Sequence, residues 1–168
     1  MDTGTSTYNA GERLNYERST RSHNVVVVDG ENSSKVWGAF RCAQRASVRM
    51  GNDVLMSYEI MHDGYKDKGV ICSRRFLCGE DRVEIIDIIT TCKPCEAIAY
   101  FYLSSDVRIK EIYVDSVVTD CAVIHFKGGV KMEIIEVKIA EEYNKLKQSY
   151  CIQVTFESSL HTIIDNFE

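Results

Sequence analysis

In Tyr16-Glu17-Arg18-Ser19-Thr20-Arg21-Ser22-His23-Asn24 an imidazole and an amide close a polar, basic run, and four valines, Val25 to Val28, follow at once. An imidazole at such a boundary is half-desolvated, a setting suited to metal ligation or to proton transfer near neutral pH. Taken alone, it is more simply a structural histidine at a strand mouth. His62 stands in Glu59-Ile60-Met61-His62-Asp63-Gly64-Tyr65. A strand pattern ends there in a glycine, so the imidazole would project from a loop, where rigid sheets hold binding groups. The plainer reading is that Asp63-Gly64 closes a turn. His125 lies within an apolar run and reads as a strand residue, and His161 carries no local signal. Cys92-Lys93-Pro94-Cys95 invites a redox or zinc reading, yet no second CxxC follows, and a turn between two apolar runs accounts for it. No Gly-rich phosphate loop, nucleophile elbow or HExxH is present.

The elements that must position these side chains read as strands. Ser149 to Glu157 alternates, with Tyr150, Ile152, Val154 and Phe156 on one face. Arg108 to Val114 and Val130 to Val137 mix β-formers with charges, and further candidates are 25–28, 36–41, 54–61, 69–77, 82–89, 97–103 and 117–126. Turn signals separate them at Asp29-Gly30, Gly51-Asn52-Asp53, Asp63-Gly64, Gly79-Glu80-Asp81 and Gly128-Gly129. Many short strands with regular punctuation predict an all-β fold, an antiparallel β-sandwich or barrel. The one helical pattern is 139–147, where Glu141 and Lys145 are spaced i,i+4. A polar loop would fit it equally. A single proline, no repeat and no linker predict one domain over 1–168.

At 168 residues the chain can bury a well-formed core. Its net charge of −5 argues against nucleic acid as a partner. The charge is uneven, however: Arg13, Arg18, Arg21, Lys35, Arg41, Arg45 and Arg49 outweigh Glu17, Asp29 and Glu31, so this segment could attract an anion or be a solvated face. No apolar stretch is long enough for a transmembrane helix, and the N-terminus lacks a signal peptide's regions. Seven scattered cysteines, an odd number, favour free thiols in a reducing, cytoplasmic setting.

The order of motifs resembles the heparinase II/III-like family of polysaccharide lyases. Asp2-Thr3-Gly4-Thr5-Ser6-Thr7-Tyr8 is similar to the family's D-x-G-T-x-x-Y, and Arg18-Ser19-Thr20-Arg21-Ser22-His23-Asn24 to its R-S-T-x-x-H-N. Val27-Val28-Asp29-Gly30, Val36-Trp37-Gly38-Ala39-Phe40-Arg41, Arg45-Ala46, His62-Asp63-Gly64-Tyr65 and Arg74-Arg75 continue the pattern. The resemblance implies a supersandwich-like C-terminal β-sandwich domain that follows an α/α toroid in the longer enzymes. An acidic, uronate-containing polysaccharide lies between the two parts and is cleaved by β-elimination. In that scheme an amide or imidazole neutralises the uronate carboxylate, a base removes the C5 proton and a tyrosine protonates the leaving oxygen.

The resemblance also implies that Asp2 and His23 are metal ligands, joined in the family by a histidine of a G-H-x-H motif around a structural zinc. Only two of those three protein ligands fall within this chain, so weak or absent zinc binding is expected of it alone. Tyr8, Arg18, Arg21 and His62 are the candidate substrate contacts, and no catalytic residue carries over. The chain is expected to be a catalytically incomplete part of a lyase, a trimmed polypeptide or a remnant of a longer gene. Its partners would be acidic polysaccharide, the toroid domain and, through an exposed sheet edge, a second copy. An exported, periplasmic location would follow if a signal lies upstream. The competing expectation is a non-catalytic carbohydrate-binding or scaffolding module. A redox or metal protein built on Cys92 and Cys95 is the third.

Overall fold

The computed structural model describes residues 2–51 and 55–167. Twelve strands account for most of them: β1 Val26–Val28, β2 Lys35–Trp37, β3 Arg41–Ala43, β4 Val48–Met50, β5 Ser57–Tyr65, β6 Val70–Cys78, β7 Arg82–Thr91, β8 Ala97–Tyr102, β9 Ile109–Ile112, β10 Ser116–Thr119, β11 Ala122–Glu142 and β12 Lys145–Asn166. All pairings are antiparallel. The larger layer runs β4-β5-β6-β7-β12-β11-β10-β9, while β8 joins β1 to β12 in a smaller one.

The two layers share a hairpin. Cys151 to Phe156 of β12 pair with β8, and Ser159 to Asp165 of the same strand pair with β7. β11 follows its partner across, and its register shifts on either side of Gly129. Gly128 has φ +89° there, and a Cβ on Gly129 would stand 2.8 Å from a Val154 methyl. Glycine is therefore required where the ribbon bends between layers. Gly128-Gly129 is a bulge inside one strand, not the turn that the sequence suggested.

The core lies between the layers. Val26 and Val28, Ala99 and Phe101, and Ile152, Val154 and Phe156 point inward together, against Val70, Ile89, Phe126 and Leu160 of the larger layer. Each fully buried side chain of this size contributes about 1.5–3 kcal/mol. The alternate residues Val27, Tyr100, Tyr102, Cys151 and Ile139 form a second cluster on the outer face of the smaller layer. Three consecutive buried valines are thus explained by a strand covered on both faces.

A short helix, α1 Glu12–Glu17, helps to cover that outer face. The Tyr16 hydroxyl meets that of Tyr102 at 2.9 Å, and the Arg13 guanidinium donates to the Lys138 carbonyl at 3.1 Å. The N-terminal arm runs alongside: the Ala140 amide donates to the Thr3 carbonyl and the Asn144 amide to that of Ser6.

The helical expectation for 139–147 is overturned. These residues are the tip of the β11–β12 hairpin, with Glu142 paired to Lys145 and Asn144 at φ +57° in the turn. Glu141 meets Lys147 on the opposite strand rather than Lys145 one helical turn on. The expected strand 36–41 divides into β2 and β3 around Gly38, and 117–126 divides at a tight turn closed by the Thr119 hydroxyl, which exchanges hydrogen bonds with Ala122. Asp63-Gly64 lies inside β5, at a register shift between His62 and Tyr65. The expected strand 54–61 and the Gly51-Asn52-Asp53 turn fall partly outside the described residues.

Candidate functional site

The first ligand candidate is set by its own loop. One Asp2 carboxylate oxygen accepts the Gly4 amide at 2.9 Å, and the other faces His23 Nδ1 at 2.8 Å. Both side chains are near half exposure. Gly4, at φ +63°, lies so close to Ala140 that a Cβ would collide with its carbonyl, so the arm needs glycine there. Glu17 anchors the arm from below. Its buried carboxylate accepts from the Ser6 amide, the Ser6 hydroxyl and Arg13 Nε.

His23 follows a single 3-10 turn, Thr20–Ser22, whose Ser22 hydroxyl donates to the Glu17 and Ser19 carbonyls. Asn24 then fastens the chain on two sides. Its side-chain oxygen accepts the Tyr102 amide at 2.7 Å, and its carbonyl accepts from Arg74. Arg74 is itself held by Asp87, which is 1 % exposed. The imidazole therefore projects from a backbone tied to both layers.

His23 opens onto a groove of about 410 Å³ that also receives Arg18 and His62, above an apolar floor of Val25, Val48 and Ile60. Arg18 donates to the Gly38 and Arg41 carbonyls, at 2.7 and 3.1 Å, so it also clasps the β2–β3 hairpin. An adjoining cavity of about 210 Å³ shares Val25, Ile60 and His62 and reaches Arg74 and Asp87. Burial, opposed by Asp63 and assisted by Arg74, holds the His62 imidazole below its ordinary value. Asp2 is also lowered: burial acts against the shift, and the His23 and Gly4 hydrogen bonds outweigh it.

Three of the candidates thus share one groove, with Asp2 bonded to one of them. Tyr8 and Arg21 do not join it. Tyr8 stacks on Tyr143 at 5.5 Å, beside Phe40 at 6.3 Å. Arg21 lies 5.2 Å over the Tyr16 ring, in a separate groove of about 860 Å³. Arg74, Asp87 and Glu17 were not expected as supports of the site. An acid flanked by isoleucines on both sides, in Ile85-Ile86-Asp87-Ile88-Ile89, is the available signal for Asp87. His161 pairs with Glu84 at 2.6 Å, away from the groove lining.

The donor chemistry at Asp2 and His23 fits zinc. Carboxylate oxygen and neutral imidazole nitrogen are ordinary ligands, and two donors on one tetrahedral zinc stand about 3.3 Å apart at usual bond lengths. The observed 2.8 Å needs only a small opening. Among the described residues no group of three or more metal-binding side chains converges. The thiols are all unpaired, and Cys95, where burial raises the thiol, lacks the lowered value that a reactive CxxC needs.

A sequence model described as heparinase II/III-like, C-terminal matches residues 1–161. Among solved structures, a mutant of the heparan sulfate lyase HepC from Pedobacter heparinus superposes with a TM-score of 0.71 at 13% identity, over 99% of this chain and 28% of that one. A structure of heparinase III gives a TM-score of 0.66 at 12% identity, over 98% of this chain and 27% of its own. The chain thus spans little more than a quarter of these relatives' length, and the likeness shows the fold. No curated protein sequence matches. Among the described residues no helix is long and apolar enough to cross a membrane.

Proposed function

Because the chain belongs to the heparinase II/III-like C-terminal family, we propose that it is the β-sandwich part of a lyase that cleaves uronate-containing polysaccharide by β-elimination. The observation that carries this is the groove in which Arg18, His23 and His62 meet. Its charge suits an anionic chain, and its apolar floor suits the faces of sugar rings. Arg18 would hold a carboxylate or sulfate near the sandwich. His23, fixed through Asn24 and Asp2, would set the depth at which the polymer lies.

Asp2 and His23 are the residues that would hold a zinc ion here. When bound, zinc would supply a fixed positive charge and clamp the N-terminal arm against β1. The remainder of the longer enzyme would provide the C5 base, the group that neutralises the uronate and the acid for the leaving oxygen. The chain by itself would then bind without cleaving.

The test is to incubate the chain with heparan sulfate, alginate and other acidic polysaccharides and follow the absorbance of unsaturated uronate. Binding without new absorbance is expected of the chain alone, and product should appear when the complementary part of a longer lyase is added. Product from the chain alone would refute the assignment of the base and acid to the rest of the enzyme. Binding with no product even after addition would favour a non-catalytic carbohydrate-binding module.

A further inference from the structure

We infer that His62 presents its Nε2–H to the groove as a fixed hydrogen-bond donor to a hydroxyl oxygen of the bound saccharide, which makes it a specificity-determining residue. This rests on the proposed function above. The Gly64 backbone amide points at His62 Nδ1 across 3.2 Å. A backbone N–H can only donate, so Nδ1 must offer its lone pair. The ring is then neutral, and its one proton sits on Nε2, at the far side of the imidazole from Gly64.

The backbone is shaped to make this contact. Between His62 and Tyr65 the β5–β6 register shifts, and the amide two residues on reaches the ring. Gly64 is pressed against the 33–34 loop: a Cβ there would stand 2.7 Å from both the Cβ and the carbonyl oxygen of Ser33. Tyr65 packs beside the imidazole with ring centroids 5.8 Å apart, and it is itself buried and tied to the Glu31 carbonyl. The ring is thus oriented from two sides, while the groove and the adjoining cavity both open onto it.

Burial disfavours the imidazolium, and Arg74 adds to this, against Asp63. The donor therefore keeps its neutral form near pH 7. A neutral donor has no charge to match to a sulfate, a task better suited to Arg18. It suits a hydroxyl, and a site built to bond a hydroxyl discriminates strongly against a sugar that lacks it.

Long-range proton–nitrogen NMR of the whole chain at neutral pH reads the tautomer directly. Nδ1 should show the lone-pair shift and Nε2 the protonated one. An Nδ1–H tautomer, or an imidazolium, would overturn the inference. Titration with a heparan sulfate tetrasaccharide should then move His62 Nε2 together with His23 and Arg18. His62→Gln, whose amide nitrogen reaches the place of Nε2, should keep affinity within about threefold, whereas His62→Ala should lose about tenfold. Unchanged His161 signals report that both variants are folded. Shifts at His23 and Arg18 with none at His62, or a Gln variant as weak as Ala, sink this inference alone. No perturbation anywhere in the groove sinks the proposed function, and this with it.

Discussion

Arg74 on β6 stands directly opposite Asp87 on β7, and the two share a two-pronged contact, with Nε to Oδ1 at 2.6 Å and Nη2 to Oδ2 at 2.9 Å. The remaining terminal nitrogen donates to the Asn24 carbonyl, one residue from His23. A buried pair thus holds the strand that aims the imidazole. Asp87→Ala leaves a guanidinium 15 % exposed without its partner, and urea unfolding should show a loss of about 3–5 kcal/mol. Arg74→Lys should lose much of the same stability, because an ammonium cannot reproduce the planar fork. Arg74→Met combined with Asp87→Leu should recover most of it but release Asn24, visible as a shift of the His23 signals.

Glu17 makes an independent prediction. Its carboxylate is fully buried and takes three donors, two from Ser6 and one from Arg13. Glu17→Ala should cost about 3 kcal/mol and speed hydrogen exchange at the Ser6 amide. Exchange at Ser6 that matches the wild type would show that the arm is held some other way.

The position of Gly4 sets a third. Alanine there must adopt a positive φ and would place its Cβ against the Ala140 carbonyl. Gly4→Ala should break the Thr3–Ala140 hydrogen bond and displace Asp2 from His23, so the two ligand candidates separate. Weak or absent zinc binding is expected of the unaltered chain; any binding that calorimetry detects should fall further in the variant, and detectable binding left unchanged would remove Asp2 from the ligand set.

His62 predicts a pH dependence. Its folded value lies below the 6.5 of the free imidazole, with burial as the main cause. Between the two values the unfolded chain takes up the proton more readily, so this contribution to stability is complete above about pH 6.5 and declines as pH falls through that window. Thermal unfolding at about pH 7.5 and 5.5 should show a smaller decline for His62→Gln than for the wild type. Equal declines would mean that the imidazole is as easily protonated folded as unfolded.

How much of this was legible depended on how local the cause was. Ile152, Val154 and Phe156 alternate because they face the core between the layers, with partly buried Tyr150 packed against it, and that can be read along the chain. Glu141 and Lys145 could not be read the same way. Charges four apart suit a helix turn, yet Glu141 is matched to Lys147 across a hairpin. Gly64 and Gly128 look like turn residues, but what requires glycine is Ser33 or Ser159 pressing from elsewhere in the fold. α1 leaves no mark in the sequence because it has six residues and no side-chain cap; buried Leu14 and Glu17 secure it instead. Asp2 and His23 are linked in the sequence only by motif resemblance, and the fold brings them to 2.8 Å. The grouping of His62 with them, and the exclusion of Tyr8 and Arg21, depend on tertiary neighbours that spacing does not encode.

The β11–β12 ribbon has a thermodynamic consequence. Because one continuous strand supplies a member to each layer, neither layer can peel away while the other survives. Melting should be all-or-none, with amides at 151–156 and at 159–165 exchanging through the same global opening. Two sheets joined only by loops could yield separately; these are bound to a common fate. A groove walled by the segment that leads into β1 and by β5 should therefore persist until the whole molecule unfolds.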